Sequence, residues 1–227
     1  HILGSNPSED LYALEAVVRG YGNEIEAGGT YQSGEAAAID VSLSLREVNL
    51  STLEGFTAGQ LSHLEGNLRG SLTARGSPSK PVLKGSLQLE DVGFRAEMIN
   101  APYRIPEGQI VLEQNTLRLD SFSMEDSLGR SATLAGTVDV SDLKNPGFGL
   151  TLRSQNFLLM NVPEGRNELF WGRMFIDSDL SLRGDLNSPR IEGRLKLNEG
   201  STLSLTVPQG EPQAIGDEGV VEFISTR

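Results

Sequence analysis

Few residues in this chain could do chemistry, and none of them stands where chemistry would need it. The only imidazoles are His1 and His63, and His63 sits in Leu61-Ser62-His63-Leu64 without a nucleophile motif around it. A hydrolytic triad requires an imidazole held between a nucleophile and a carboxylate, so His63 reads as a surface residue. Asp177 and Asp179 flank Ser178, and on a strand both carboxylates would share one face. Calcium would suit such a pair, but the glycine and the terminal bidentate glutamate of a calcium loop are missing, which favours a solvated strand face. Gly147-Phe148-Gly149 lacks the third glycine of a phosphate-binding turn. Phe170 and Trp171 could stack on a sugar ring, yet an aromatic pair at a strand end more often packs. Asn49-Leu50-Ser51 is a formal glycosylation sequon. With no cysteine, disulfides and thiolate metal sites are excluded. The expectation is a protein without catalytic residues, cofactor or metal, and not an enzyme.

Charge narrows the partners. Lys+Arg 19 against Asp+Glu 31 gives a net charge of -12. Phosphate neutralisation needs a basic surface, so nucleic acid is an unsuitable ligand, and so is the anionic face of a membrane. What remains is apolar contact. No apolar run approaches the ~18 residues of a membrane span. The start at His1-Ile2-Leu3 and the end at Phe223-Ile224-Ser225 read as cuts in a longer chain, giving a monomeric fragment with possible edge-to-edge pairing.

Apolar residues recur with period two. Val41, Leu43 and Leu45 alternate with Ser42, Ser44 and Arg46, and Leu117 and Leu119 alternate with Arg118 and Asp120. Met174, Ile176, Leu180 and Leu182 share one register, interrupted by Ser178, with Arg173, Asp177, Asp179 and Ser181 in the other. Leu195 and Leu197 follow the same rule, as do Leu203 and Leu205 beyond a turn at Glu199-Gly200. Successive strand side chains point to opposite faces, so each segment has an apolar face and a polar one. Adding Leu72, Leu87, Leu89, Val138, Val140, Leu150 and Leu152 completes the set expected to line that face. Ser178, Gly193 and Ala135 on the same supposed register suggest loose packing there. Helix is scarce: Ser8–Arg19 is open to helix or strand, and Leu50–Leu64 predicts one or two short helical turns. Pro208–Gly219, polar and rich in Gly and Pro, reads as a loop. The apolar faces would either close on one another as a sandwich core or stay open as a binding surface.

The chain also repeats itself. Residues 71–89 and 179–197 align without gaps and share Leu72/Leu180, Arg75/Arg183, Gly76/Gly184, Pro81/Pro189, Gly85/Gly193, Leu87/Leu195 and Leu89/Leu197. Upstream, Leu43–Asn49 matches Leu150–Asn156, and Ala27-Gly28 matches Ala135-Gly136. Shared glycines and prolines matter because each demands a particular backbone geometry. The expected division is 1–97 as a first unit with its flank and 98–207 as a second unit continuous with it. Residues 208–227 would be a loop and the start of another strand. Pro102 and Pro106 bracket only Tyr103-Arg104-Ile105, too little for a domain linker. One-faced strands in this number, about 14, would stack to ~65 Å.

The order Arg75-Gly76, Pro81, Gly85, Leu87, Leu89, repeated at Arg183-Gly184, Pro189, Gly193, Leu195, Leu197, resembles the recurring unit of the TamB family (DUF490, AsmA-like). Asn167–Gly172 resembles a stretch of its Bacteroidetes-type members, with Trp171 where tyrosine is usual. The resemblance implies an all-β fold: an elongated sheet curved into an open apolar trough, the β-taco. It implies a periplasmic protein anchored in the inner membrane. Expected partners are phospholipid acyl chains carried between inner and outer membranes. The alternative is a chaperone or scaffold for outer-membrane barrel assembly, binding an Omp85-type partner or nascent barrel strands by strand addition.

Overall fold

The computed structural model describes residues 2–8 and 10–206. Over these residues the chain is all-β, with thirteen strands in one antiparallel, unclosed sheet. They are β1 (Ile2–Ser8), β2 (Leu11–Gly20), β3 (Asn23–Gln32), β4 (Ala38–Asn49), β5 (Leu61–Ser77), β6 (Lys80–Ala96) and β7 (Ala101–Glu113). There follow β8 (Thr116–Asp126), β9 (Ser131–Asp139), β10 (Gly147–Val162), β11 (Phe170–Asp185), β12 (Arg190–Leu197) and β13 (Thr202–Leu205). Each strand pairs with the next in sequence from β1 to β12, and β13 returns to pair with β11. Neighbours in sequence are thus neighbours in space, as short turns between antiparallel strands allow.

Ser8–Arg19, open in sequence between helix and strand, is strand from Leu11. Its period-two apolar set Tyr12, Leu14, Ala16 and Val18 pairs with β3. The helical expectation for Leu50–Leu64 is met by one 3-10 helix, Leu50–Thr57, capped by the Asn49 side chain, which accepts from the Ser51 N–H at 3.0 Å. Residues 58–60 then turn the chain, and β5 begins at Leu61. The tail expected at 208–227 lies outside the described residues.

Register shifts divide the sheet into two halves across its strands. They fall between Leu45 and Val48 on β4, Ser62 and Asn67 on β5, Leu119 and Phe122 on β8, and Ser154 and Phe157 on β10. His63, Asp91, Ser121 and Asn156, all at positive φ, lie in the same zone. Such bulges bend strands, and here the bent ends fold over one another. On that side β7 reaches β10 across two intervening strands. Tyr103 Oη donates to the Leu159 carbonyl at 2.7 Å, Asn100 Nδ2 donates to the Asn161 carbonyl at 2.6 Å, and the Asn161 N–H donates to Ile99 O at 3.0 Å. Beneath these bonds Ala101, Tyr103, Ala132, Phe157 and Ile176 form a small closed core. Tyr103 stacks on Phe157 with centroids 5.4 Å apart. Burial, with the nearby Asp126 charge, pushes the Tyr103 phenol well above its ordinary pKa. On the other side of the bulges the sheet stays open.

Candidate functional site

The site is the apolar face of the open half, and cross-strand register assembles it. Residues directly opposite in an antiparallel ladder present side chains to the same face. One row runs Val18, Ile25, Leu45, Gly70, Leu87, Ile110, Leu119, Gly136, Leu150, Leu182, Ile191. A second, two residues along each strand, runs Ile2, Ala16, Ala27, Leu43, Leu72, Gly85, Leu112, Leu117, Val138, Phe148, Gly184. Neither row contains a polar or charged side chain. The shorter row Leu134, Leu152, Leu180, Gly193 widens the face over β9–β12.

The expected lining residues mostly belong to these rows. Leu43, Leu45, Leu72, Leu87, Leu117, Leu119, Val138, Leu150, Leu152, Leu180 and Leu182 lie in them, and Leu89 sits beside them opposite Leu68 and Gly108. Leu195 and Leu197 continue the face opposite Ser178 and Ile176. Leu203 and Leu205 lie opposite Gly172 and Phe170, and Val140 follows the end of β9. Ile176 is different: at 1% exposure it belongs to the closed core, with Met174 packed against it. Ala135 faces the polar side, opposite Thr151, so it says nothing about packing in the groove. The upstream matches also shift in space. The partner of Leu72 is Leu43, whereas that of Leu180 is Leu152, not Leu150. Ala27 and Ala135 lie on opposite faces.

Sequence reading missed Val18, Ile25, Ile110, Leu112, Phe148 and Ile191. Their signal was present in the i, i+2 spacing of Ala16/Val18, Ile110/Leu112 and Phe148/Leu150. It also missed a recess of about 530 Å³ at the β1–β4 end of the face, walled by Tyr12, Leu14, Tyr31 and Val41 and floored by Ala27 and Gly29. The Tyr12 and Tyr31 rings stack there at 6.1 Å. Most of the face is half-buried or exposed, with Val18 at 56%, Leu14 at 52% and Ile191 at 64%. Larger hollows of about 620 Å³ and 890 Å³ are lined mainly by polar residues near the bulges.

The shared glycines have a backbone reason. Gly85 lies opposite Leu72 and Gly193 opposite Leu180, at φ +155° and +138°. A Cβ on either would overlap the carbonyl oxygen of the facing strand, Ser71 or Asp179. Only glycine permits so close an approach in a curved sheet.

The opposite face carries charge. Arg46 bridges to Glu26 at 3.3 Å, Arg69 to Glu90 at 2.9 Å, Arg75 to Asp40 at 2.9 Å and Arg153 to Asp179 at 3.3 Å. Exposed pairs of this kind contribute about 0–1 kcal/mol each; their larger effect is to keep this face wet. Asp177 and Asp179 belong to this face. Asp177 accepts from Asn198 Nδ2 at 2.6 Å and from the Asn156 N–H at 2.7 Å, which hold its carboxyl below the usual aspartate range. Among the described residues no group of three or more His, Cys, Asp or Glu is placed to hold a metal ion.

Residues 120–227 match the family model of the TamB C-terminal domain, a span that takes in β9–β13 and most of β8. That C-terminal part of the chain belongs to the TamB family. That family serves translocation and assembly as a membrane-associated periplasmic component. No curated protein and no solved structure gives a significant match to this chain. No helix among the described residues is long and apolar enough to cross a membrane.

Proposed function

We propose that the apolar face shields lipid acyl chains, so that this segment of a TamB-family protein conducts phospholipid between the inner and outer membranes. The observation that carries this reading is the pair of unbroken apolar rows across eleven consecutive strands each. Acyl chains gain ~0.8 kcal/mol per buried CH₂ without any specific pocket, and a long face of half-exposed aliphatics is suited to that non-directional contact. On this reading 1–97 and 98–207 act as two successive lengths of one groove, in the periplasm, with the parent protein anchored in the inner membrane and no bond made or broken. Native mass spectrometry of the chain purified from bacterial cells is the test, with binding of a hydrophobic dye beside it. Lipid adducts and dye binding are expected. A lipid-free protein that also leaves the dye dark would overturn the reading.

A further inference from the structure

The closed core lies on the same apolar face as the open rows. On β9 the register Val138, Gly136, Leu134 runs on to Ala132 without a shift, and on β11 Leu182, Leu180 and Ser178 run on to Ile176. Ala132 and Ile176 are each 1% exposed, so one continuous face passes from open to shut. At the threshold the buried hydroxyls of Ser154 and Ser178 stand 2.8 Å apart, a polar pair set into an otherwise apolar surface.

What shuts the face is a clasp between two strands that are not neighbours in the sheet. β8 ends at Asp126 and β9 begins at Ser131, so the start of β7 and the end of β10 meet beyond that turn. The bonds from Tyr103 to Leu159, from Asn100 to Asn161 and from Asn161 to Ile99 join them. Outermost, Arg166 meets Glu97 at 2.5 Å, and Ser62 also donates to Glu97. The Arg166 and Glu97 side chains are 46% and 28% exposed, and ion pairs open to solvent hold weakly. The closed arrangement also carries strain. Asn100 and Asn156 sit at φ +47° and +50°, a backbone that disfavours a side chain. Arg95 bonds Asn100 through Nη1 at 3.1 Å, while its Nε is buried without a hydrogen-bond partner among the described residues, which is unfavourable.

We propose that this core is a second acyl compartment of the groove, held shut by the clasp and opened by the acyl chain that enters it. The proposal rests on the reading of the open face as an acyl-binding surface. A ligand shifts a conformational equilibrium only by what it gains in one of the two states. Here the gain is contact with Phe157, Met174 and Ile176, which pack against one another when the clasp is closed. Apolar contact is non-directional, so an acyl chain replaces the protein's own packing without a matched shape.

Oleate is the probe, added to the full chain and followed by NMR. Two signals report on the clasp: exchange of the Asn161 amide, whose N–H donates to Ile99 O, and contacts between oleate protons and the Ile176 methyls. As oleate is added, exchange at Asn161 should quicken and contacts at Ile176 should appear. Glu97→Arg sets like charges against each other at Arg166 and should raise oleate affinity about fivefold, because less of the protein is held in the closed state. Adding Arg166→Glu should restore the native affinity. The Asn161 and Ile176 signals come from the native chain, so they decide the matter even where Glu97→Arg fails to fold. Oleate bound without contact at Ile176, unchanged exchange at Asn161, or a folded Glu97→Arg chain of native affinity would each overturn the compartment and leave the open groove intact. A chain that binds no oleate in any of these forms would overturn the groove reading and the compartment with it.

Discussion

Leu150→Asp puts a carboxylate into the first of the two long apolar rows, between Gly136 and Leu182. If acyl chains lie along that row, the new charge and its water shell displace about three methylenes from contact. At ~0.8 kcal/mol each the loss is about 2.4 kcal/mol, or roughly 60-fold in affinity. The control is the next residue, Thr151→Asp, which faces the polar side opposite Ala135 and Ser181 and should change affinity less than about twofold. Titration with a fluorescent fatty acid measures both. Urea unfolding of the same proteins guards against a trivial result. A half-buried leucine on an open face contributes about 1 kcal/mol to folding, so Leu150→Asp should remain folded. Equal affinity loss in the two variants, or none in either, would refute an acyl path along this row. A collapse of stability at Leu150 comparable to that of a core residue would show a packed interior in place of an open face.

Ile176→Ala should destabilise the chain by about 3 kcal/mol, because its 1% exposed side chain leaves a cavity in the closed core; Leu195→Ala, 51% exposed, should cost less than about 1 kcal/mol in the same denaturant titration. Gly193→Val should cost about 1–3 kcal/mol and loosen β12, seen as faster hydrogen exchange across Arg190–Leu197. The φ of +138° and the Asp179 carbonyl leave its Cβ no room. Because the Asp177 carboxyl is held below its ordinary range chiefly by Asn198, then by the Asn156 N–H, the stability it contributes is fully present above the ordinary aspartate pKa. It is lost as pH falls through the depressed folded-state value. Asp177→Asn should therefore flatten the acid limb of a stability–pH profile, and an unchanged limb would remove Asp177 from that role.

The alternation of Leu43 and Leu45 with Ser42 and Ser44, or of Leu117 and Leu119 with Arg118 and Asp120, was readable because side-chain direction within a strand follows a period of two and needs no partner. The all-β class, a short helical turn within Leu50–Leu64 and the glycines at 85 and 193 rest on such local rules. Which strand lies beside which, and at what offset, does not. Ala135 was assigned to the wrong face although the local period sufficed: it stands next to Leu134 and Gly136 and three residues from Val138, so it points to the other side, where it pairs with Thr151. Leu152 replaced Leu150 as the partner of Leu180 because the β10–β11 ladder runs two residues away from the gapless sequence match. The bulges that split the open face from the closed core, and the bonds from Tyr103 to Leu159 and Asn100 to Asn161 that close one end, join residues 56 and 61 positions apart. Local periodicity carries no record of pairings at that distance, so the chain's pattern determined that it would present an apolar face, and tertiary hydrogen bonding alone decided where that face closes and where it stays open.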